Sequence, residues 1–499
     1  MSLLRRWRTL VAVALMCLVG LVTFHNRDAL SDMRPAEYFL PPGRTPTYSE
    51  KSGQPDPKAH KLPTADSFRA HFAAVTRLKG ITVAEAKATC HWPQGEYVDF
   101  QFGSDADWVV NDRPDDEIES RRRAWQQYVE GQMISWETVE GRFKGRGVVV
   151  LAGNHDTVMR LKVILRRLVK LQSTIPVEVH YWDDEMTEAN LKDLASLYQP
   201  LSFNDLKKPD NIIHVEKDYF TINFQLKSAA LINSKFAEPL LLDSDNIPIL
   251  DPATLYDSQA YQEYHTVFWP DIARSWPQNP AWAITNTPCR MDEYEQESGQ
   301  MLVDKRRYWY HLQLASWLNN EQGKYYNEFL LGDKDMFRFA WHALQTQYGR
   351  PRKWLTSVGT LNAGFYCGHS FAQYHPDDGR VAFLHGGLVK SVSREVMLWN
   401  REHAGGYFRH YKRAPRDEEP ATNVHVQIIW DGAEYKPNHT EGFRAAMCTD
   451  MRDIAVGNLS DILPGWEREY EALGGFWMLE QEEAKAVAEG AREGDPAGP

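Results

Sequence analysis

The sequence predicts an α/β protein built on a parallel-type, doubly wound sheet, and three observations carry that expectation. Short apolar runs with the character of buried strands recur in the middle of the chain, the clearest being Val148 to Leu151 and Pro239 to Leu242. Stretches of helical period separate them, with Val158, Leu161, Ile164, Leu165 and Leu168 on one face. Strands alternating with helices are the pattern of βαβ units. Ligands of such sheets bind beyond the carboxyl ends of the strands, so the residues after each strand become the candidates for chemistry.

Taken in order, Arg5, Arg6 and Arg8 precede an uncharged run from Thr9 to Phe24. Those residues span about 24 Å as a helix, short for a bilayer core but adequate for the thinner early secretory membranes. A cleaved signal peptide competes with an uncleaved anchor. Phe24-His25-Asn26-Arg27 offers no small-x-small cleavage pattern, which favours a signal-anchor over 9–24. A cytosolic tail over 1–8 and a lumenal body follow from the flanking charge. Residues 25–65 contain Pro-Pro-Gly-Arg-Thr-Pro-Thr and read as an extended stem. Phe68, Phe72, Val75 and Leu78 give residues 66–140 a helical spacing. A globular domain is expected over 141–480, with strands at 148–151, 176–181, 211–214 and 239–242. Its helices are expected at 156–171, 187–197 and 221–236. The Ala/Glu/Gly-rich segment 481–499 reads as a disordered tail.

Composition narrows the class. The chain has 499 residues, 43% apolar and 25% charged, which excludes a disordered chain, a collagen, a coiled coil and a polytopic membrane protein. Its net charge of −12 argues against a nucleic-acid partner. Aromatic content of 12%, with 17 Trp, leans toward carbohydrate handling. Asn438-His439-Thr440 and Asn458-Leu459-Ser460 are glycosylation sequons. Cys17 lies in the apolar run, and Cys90, Cys289, Cys367 and Cys448 allow three pairings that the sequence leaves open. No CxxC pair points to zinc or a dithiol centre.

Three Asp-x-Asp pairs occur in the chain. Asp105-Ala106-Asp107 sits in polar surroundings and reads as a solvated turn. Asp243 and Asp245 end the apolar run Leu240-Leu241-Leu242 instead. Carboxylates at i and i+2 on a strand end can both reach one divalent cation, and hard oxygen ligands suit Mg²⁺ or Mn²⁺ carried with a diphosphate. The bland alternative is a strand-to-helix turn capped by Asp245 or Asn246. Further along, Glu297-Ser298-Gly299 reads as a small-residue turn entering a strand, and Asp333-Lys334-Asp335 opens a helix. His385 ends the apolar run Ala382-Phe383-Leu384.

Together these segments resemble the fungal Golgi alpha-mannosyltransferase family, which extends mannoprotein outer chains with alpha-1,2 or alpha-1,3 linkages. The likeness rests on Leu240 to Asn246, Glu295 to Lys305, Asp333 to Trp341 and Cys367-Gly368-His369. It also includes Asn223 to Ala230 and Phe268-Trp269-Pro270-Asp271, and covers roughly residues 145 to 400. The segment Asn154-His155-Asp156 departs most from the family, which bears on the base of the donor.

The resemblance implies a GT-A fold over 141–480, a GDP-mannose donor, a mannose-bearing glycan acceptor, a Mn²⁺ requirement, retention of configuration and a Golgi membrane location. It implies Asp243, Asp245 and His385 as metal ligands, although a histidine satisfied by a hydrogen bond would look the same. Gly153, Asn154, Lys227, Asp243 and Ser244 are expected on the donor side. A helix cap near Asp156 and a solvated Lys227 are the structural alternatives. Asp333, Asp335 and Glu297 are the candidate catalytic acids, against helix capping for the two aspartates. Retention then needs either a carboxylate nucleophile or a same-face attack with electrostatic support. Trp269, Trp282, Trp309 and Trp341 could stack on acceptor sugars or fill the core. Cys367 and His369 could form an acceptor-side loop, a disulfide or a packed turn. Another nucleotide sugar, or a catalytically silent glycan-binding relative, are the competing functions.

Overall fold

A computed structural model describes residues 64–90, 113–217, 223–291, 293–330, 332–362, 364–386, 394–413, 426–430, 447–451 and 454–479. The expected tail 1–8, anchor 9–24, most of the stem 25–65, the Asp105–Asp107 turn, the Asn438 sequon and the tail 481–499 lie outside these residues. Among the described residues no helix is long and apolar enough to cross a membrane.

The first helices are α1 (Ala65–Val75), α2 (Val83–Ala88) and α3 (Asp115–Gly131). Then come β1 (Arg146–Leu151), α4 (His155–Lys170), β2 (Val177–Tyr181), α5 (Glu188–Leu197) and β3 (Leu201–Asp205). Next are α6 (Gln225–Asn233), β4 (Glu238–Leu242), β5 (Asn246–Pro248), β6 (Thr266–Pro270), α7 (Pro280–Ile284) and β7 (Gln296–Val303). After them lie α8 (Lys305–Asn319), α9 (Lys334–Ala343), β8 (Thr356–Asn362), β9 (Phe365–Tyr374) and β10 (Val381–His385).

The main sheet has the order β3-β2-β1-β4-β7-β6. Its first four strands run parallel, and β7 runs antiparallel to both β4 and β6. Side chains alternate across a strand, so one apolar run feeds two cores. Val148, Val150, Leu240 and Leu242 face α4, while Val149 and Leu241 face α6 and α8. Covering both faces is what a parallel sheet demands. Asn154 starts α4 by accepting from the Thr157 amide at 3.0 Å, a side-chain cap that satisfies an otherwise orphaned N–H.

Two features differ from the sequence reading. The third strand is Leu201–Asp205 rather than Asn211 to His214. Ile212 and Ile213 instead donate their amides to Asn233 Oδ1 on α6. A second sheet, unanticipated from the sequence, has the order β12-β13-β9-β8-β11-β14, with β11 (His410–Lys412), β12 (Val426–Trp430), β13 (Met447–Met451) and β14 (Gly457–Asn458). Strand β10 pairs with both β9 and β5, and so ties this sheet to the segment after β4.

The helices of 66–140 share the core of the α/β body. Trp125 of α3 is buried and donates to the Ile284 carbonyl at 2.9 Å, and Arg122 donates to the carbonyls of Ile81 and Ala283. The cysteines pair as Cys90–Cys289 and Cys367–Cys448. Trp269, Trp282, Trp309 and Trp341 are all fully buried core residues, so none of the four reaches a sugar.

His369 lies in β9, buried, with Nε2 donating to the Tyr407 carbonyl and Nδ1 facing the Ser370 hydroxyl, both at 3.0 Å. Burial pushes its pKa down to about 4, against the pull of that carbonyl. A histidine lowered on folding binds its proton more readily in the unfolded chain. Its contribution is complete above the unfolded value of about 6.5 and drains away as pH falls toward 4. The loss amounts to about 3 kcal/mol. We expect denaturant unfolding of His369→Gln to show a flatter stability slope than wild type between these pH values; parallel curves would remove this account.

Candidate active site

The site stands at the edge of the main sheet where β4 and β6 end and the antiparallel β7 begins. The turn after β4 is closed by two backbone bonds, from the Asn246 amide to the Asp243 carbonyl at 3.0 Å and from the Asp243 amide to the Gly299 carbonyl at 2.8 Å. Strand β5 follows at once and pairs with β10, placing Asn246 opposite His385. The Gly386 amide donates to the Asp245 carbonyl at 3.2 Å. Two strands far apart in sequence thus lock one histidine beside two aspartates.

One ligand atom from each of Asp243, Asp245 and His385 lies within 4.8 Å of the others. His385 Nε2 is 3.5 Å from Asp245 and 3.9 Å from Asp243, and Nδ1 is 3.3 Å from Glu297. Both ring nitrogens are buried and complete no hydrogen bond among the described residues. Two carboxylates and an imidazole within reach of one another are a donor set able to hold a divalent cation. Burial would depress the imidazole, but Glu297 and Asp245 outweigh it and raise His385 to about 10. Burial likewise would raise Glu297, yet His385 and the Gly299 amide hold it down to about 2.

Glu297 and Ser298 belong to strand β7 rather than to a turn. Strand β7 breaks its register with β6 between Glu297 and Met301 and pairs with β4 there, Gln300 against Leu242. Gly299 sits in that irregular stretch because the His385 ring occupies the space of a side chain. A Cβ at Gly299 would lie 2.3 Å from His385 Cε1.

Lys227 of α6 is largely buried, its side chain 14% exposed. Its ammonium reaches Asp243 at 3.1 Å, Asp333 at 3.1 Å and the Ser298 hydroxyl at 3.1 Å. Burial works against the charge, and Asp243 and Asp333 overcome it and raise the lysine. Asp333 makes no side-chain cap on α9; its carboxylate is committed to Lys227. Burial, with Asp243 adding to it, raises Asp333 despite that lysine.

Asp335 turns the other way. It is fully buried and accepts from Arg338 Nε at 2.7 Å and the Gln296 amide at 3.3 Å. Residues two apart on a helix do not share a face, so Asp333 and Asp335 cannot both line one cleft. Gly153 and Asn154 stand at the end of β1. Gly153 is buried and leaves room for Glu185, whose Oε2 is 2.7 Å from where a Cβ would be. Ser244 is buried within the turn after β4. Cys367 is disulfide-bonded and His369 is packed in β9.

Sequence reasoning passed over Asp271, Lys334 and Glu295 as site residues. Lys334 bridges Asp271 and Glu295 at the same sheet edge. The position of Asp271 directly after the apolar strand β6 was the available signal.

Residues 145–295 and 281–375 match the family described as "Mannosyltransferase putative". The chain is 25% identical over 307 residues to Alpha-1,2-mannosyltransferase MNN24 of Candida albicans, covering 50% of this chain and 41% of that one. It is 32% identical over 162 residues to Alpha-1,2-mannosyltransferase MNN2 of Saccharomyces cerevisiae, covering 32% and 26%. The chain therefore spans less than half the length of these curated relatives. Among solved structures, the galactosyltransferase LgtC in complex with donor and acceptor sugar analogs gives a TM-score of 0.30 at 17% identity, over 41% of this chain and 73% of that one. Asp243, Asp245, Glu297 and Asp333 fall inside the family match, with His385 just beyond it. Residues 145–375 of the chain match the mannosyltransferase family, and the curated relatives that it resembles there are fungal alpha-1,2-mannosyltransferases.

Proposed function

We propose that the chain is a GT-A-type, metal-dependent, retaining alpha-mannosyltransferase that moves mannose from GDP-mannose to a mannose-bearing glycan, in alpha-1,2 linkage. The observation that carries this reading is the meeting of Asp243, Asp245 and His385 at a strand end, within 4.8 Å of one another. The names of the relatives, alpha-1,2-mannosyltransferases, support the sugar and the linkage. Two carboxylates with one imidazole make a mixed oxygen and nitrogen set, which suits Mn²⁺ better than Mg²⁺. When bound, that ion supplies charge neutralisation for a departing diphosphate.

The protein's own groups do the rest. Asp243 and Ser244, with Gly153 and Asn154 at the end of β1, are the residues that would flank the nucleotide, since both turns follow neighbouring parallel strands. Lys227 holds Asp243 and Asp333 in fixed relation. Glu297 accepts from the Gly299 amide at 2.7 Å through one oxygen and faces His385 through the other. Such a doubly engaged carboxylate stays charged and acts as a fixed anion beneath a developing oxocarbenium. Asp333 is similarly tied to Lys227, which favours same-face attack over a covalent intermediate. In that course the bond from the anomeric carbon to the phosphate oxygen breaks, the bond to the acceptor oxygen forms on the same face, and the acceptor proton passes to the departing diphosphate.

We also propose a Golgi location, with the apolar run 9–24 as a membrane anchor and the body in the lumen. The two disulfides support an oxidising compartment. The test is to assay the purified chain with Mn²⁺ on mannobiose, offering GDP-mannose, UDP-galactose and UDP-glucose. Transfer from GDP-mannose alone, with an alpha product, is expected. Preference for a UDP-sugar would replace the donor, and Mn²⁺-independent GDP binding without turnover would replace the enzyme by a binding protein.

A further inference from the structure

We propose that Asp271 and Lys334 form the subsite that holds the hydroxyls of the transferred hexose. This rests on the donor reading above and adds the residues that would grip the sugar rather than the nucleotide. Strands β4, β7 and β6 are neighbours, and they bring Asp243, Glu297 and Asp271 to one edge. Adjacent strands are about 4.8 Å apart, so Asp271 is about 10 Å across the edge from the metal turn. A hexosyl group whose phosphate sits at that turn would extend over Glu297 toward Asp271.

The pair is built to present hydrogen-bonding capacity. The Lys334 ammonium donates to Asp271 Oδ2 and, at 3.0 Å, to Glu295 Oε2. Asp335 Oδ2 stands 4.0 Å from the ammonium, beyond hydrogen-bond reach, so among the described residues the third hydrogen keeps no acceptor. The second oxygen of Asp271 receives only the Ile272 amide, at 2.7 Å. An ionised carboxylate has about four acceptor sites, so Asp271 keeps capacity for two hydroxyls beside the free hydrogen of Lys334. Donor and acceptor side by side match adjacent ring hydroxyls.

Exposure separates this pair from a plain strut. The side chains of Asp271 and Lys334 are 14% and 15% exposed, as is Glu297 at 14%, whereas Glu295 is 3% and Asp335 is 0%. Glu295 alone would hold the ammonium from below. A second carboxylate adds like charge and desolvation, which a buried ion pair seldom recovers in stability. The backbone around Asp271 is also fixed, since Trp354 Nε1 donates to its carbonyl at 2.8 Å and its amide donates to Glu295 at 2.8 Å. Gln373 Nε2 holds the Pro270 carbonyl at 3.0 Å. Rigid placement of this kind is what recognition of a small polar ligand requires.

The experiment compares GDP with GDP-mannose on the full chain in Mn²⁺, for wild type, Asp271→Asn and Lys334→Gln. Each variant is expected to bind GDP within about twofold of wild type while its GDP-mannose affinity and donor kcat/KM fall about tenfold or more. In wild type, acetylation of Lys334 should be slowed by GDP-mannose and not by GDP, a measurement that does not depend on a variant folding. Equal loss for GDP and GDP-mannose would make the pair a strut and overturn the proposal. A rise in acceptor KM alone would overturn it in favour of an acceptor site, and unchanged GDP-mannose binding would also overturn it. Wild type that binds neither nucleotide would remove the donor reading itself, and this inference with it.

Discussion

Asp245→Asn is expected to abolish binding of the proposed divalent cation and to lower the proposed sugar transfer by about 10²- to 10³-fold, with the chain still folded. The change is nearly isosteric, and the backbone bond from Gly386 to the Asp245 carbonyl survives it. What disappears is one anionic oxygen from a set of three donors whose atoms lie within 4.8 Å. Charge neutralisation at a leaving diphosphate is worth several kcal/mol, and each 1.36 kcal/mol is a factor of about ten in rate. Binding of Mn²⁺ to the native state alone raises the melting temperature by mass action. That shift should be present in wild type and absent in Asp245→Asn. Calorimetric titration with Mn²⁺, melting curves with and without the ion, and the transfer assay check the three parts separately. A variant that keeps full transfer would end the assignment of this turn as a metal centre.

The legible parts of the fold are those where one short stretch of sequence decides its own burial. Val148 to Val150 and Leu240 to Leu242 are fully buried on both faces, so an unbroken apolar run was an adequate sign. Strand β3 is only partly buried throughout and alternates polar residues such as Ser202 and Asn204, so it gave no comparable signal. Ile212 and Ile213 looked like a strand because they are β-branched, yet their amides are held by a side chain of α6. The second sheet depends on pairings that no local period encodes. Gly359 and Gly368 let β8 and β9 approach so closely that a Cβ at Gly359 would sit 1.8 Å from the Cys367 carbonyl oxygen.

The site divides along the same line. Asp243 and Asp245 could be picked out because they end a buried strand. His385 also ends one, but its meeting with them needs β5 to pair with β10 across well over a hundred residues, and only the family resemblance supplied that. Asp333 and Asp335 looked equivalent in sequence. Helix geometry separates them, sending Asp333 to Lys227 and Asp335 to Arg338. Asp271 and Lys334 were invisible as a pair because β6 and α9 are distant in sequence, and a lone acid after a strand is an ordinary turn residue.

Gly299→Ala tests whether the centre depends on the shape of its floor as much as on its ligands. The added methyl carbon would lie 2.3, 2.5 and 2.7 Å from His385 Cε1, Nδ1 and Nε2, far inside any contact that packed atoms tolerate. The strand backbone around it is fixed. The Gly299 carbonyl accepts from the Asp243 amide and from Asn246 Nδ2, both at 2.8 Å, and its amide donates to Glu297 at 2.7 Å. The imidazole is therefore the part that must move. Overpacking of a dense interior costs about 1–3 kcal/mol, which a domain of this size survives. Metal affinity is expected to fall about 10- to 100-fold or more, the range seen when the orientation of a ligand is lost. Transfer should fall with it at limiting Mn²⁺. In a His385→Ala background the same substitution has no ring to displace, so it should cost no further affinity, and the two changes should be strongly non-additive. If Gly299→Ala binds Mn²⁺ as wild type does, His385 is not held where a ligand must be. If its effect persists undiminished without the histidine, the glycine acts through the strand and not through the ring.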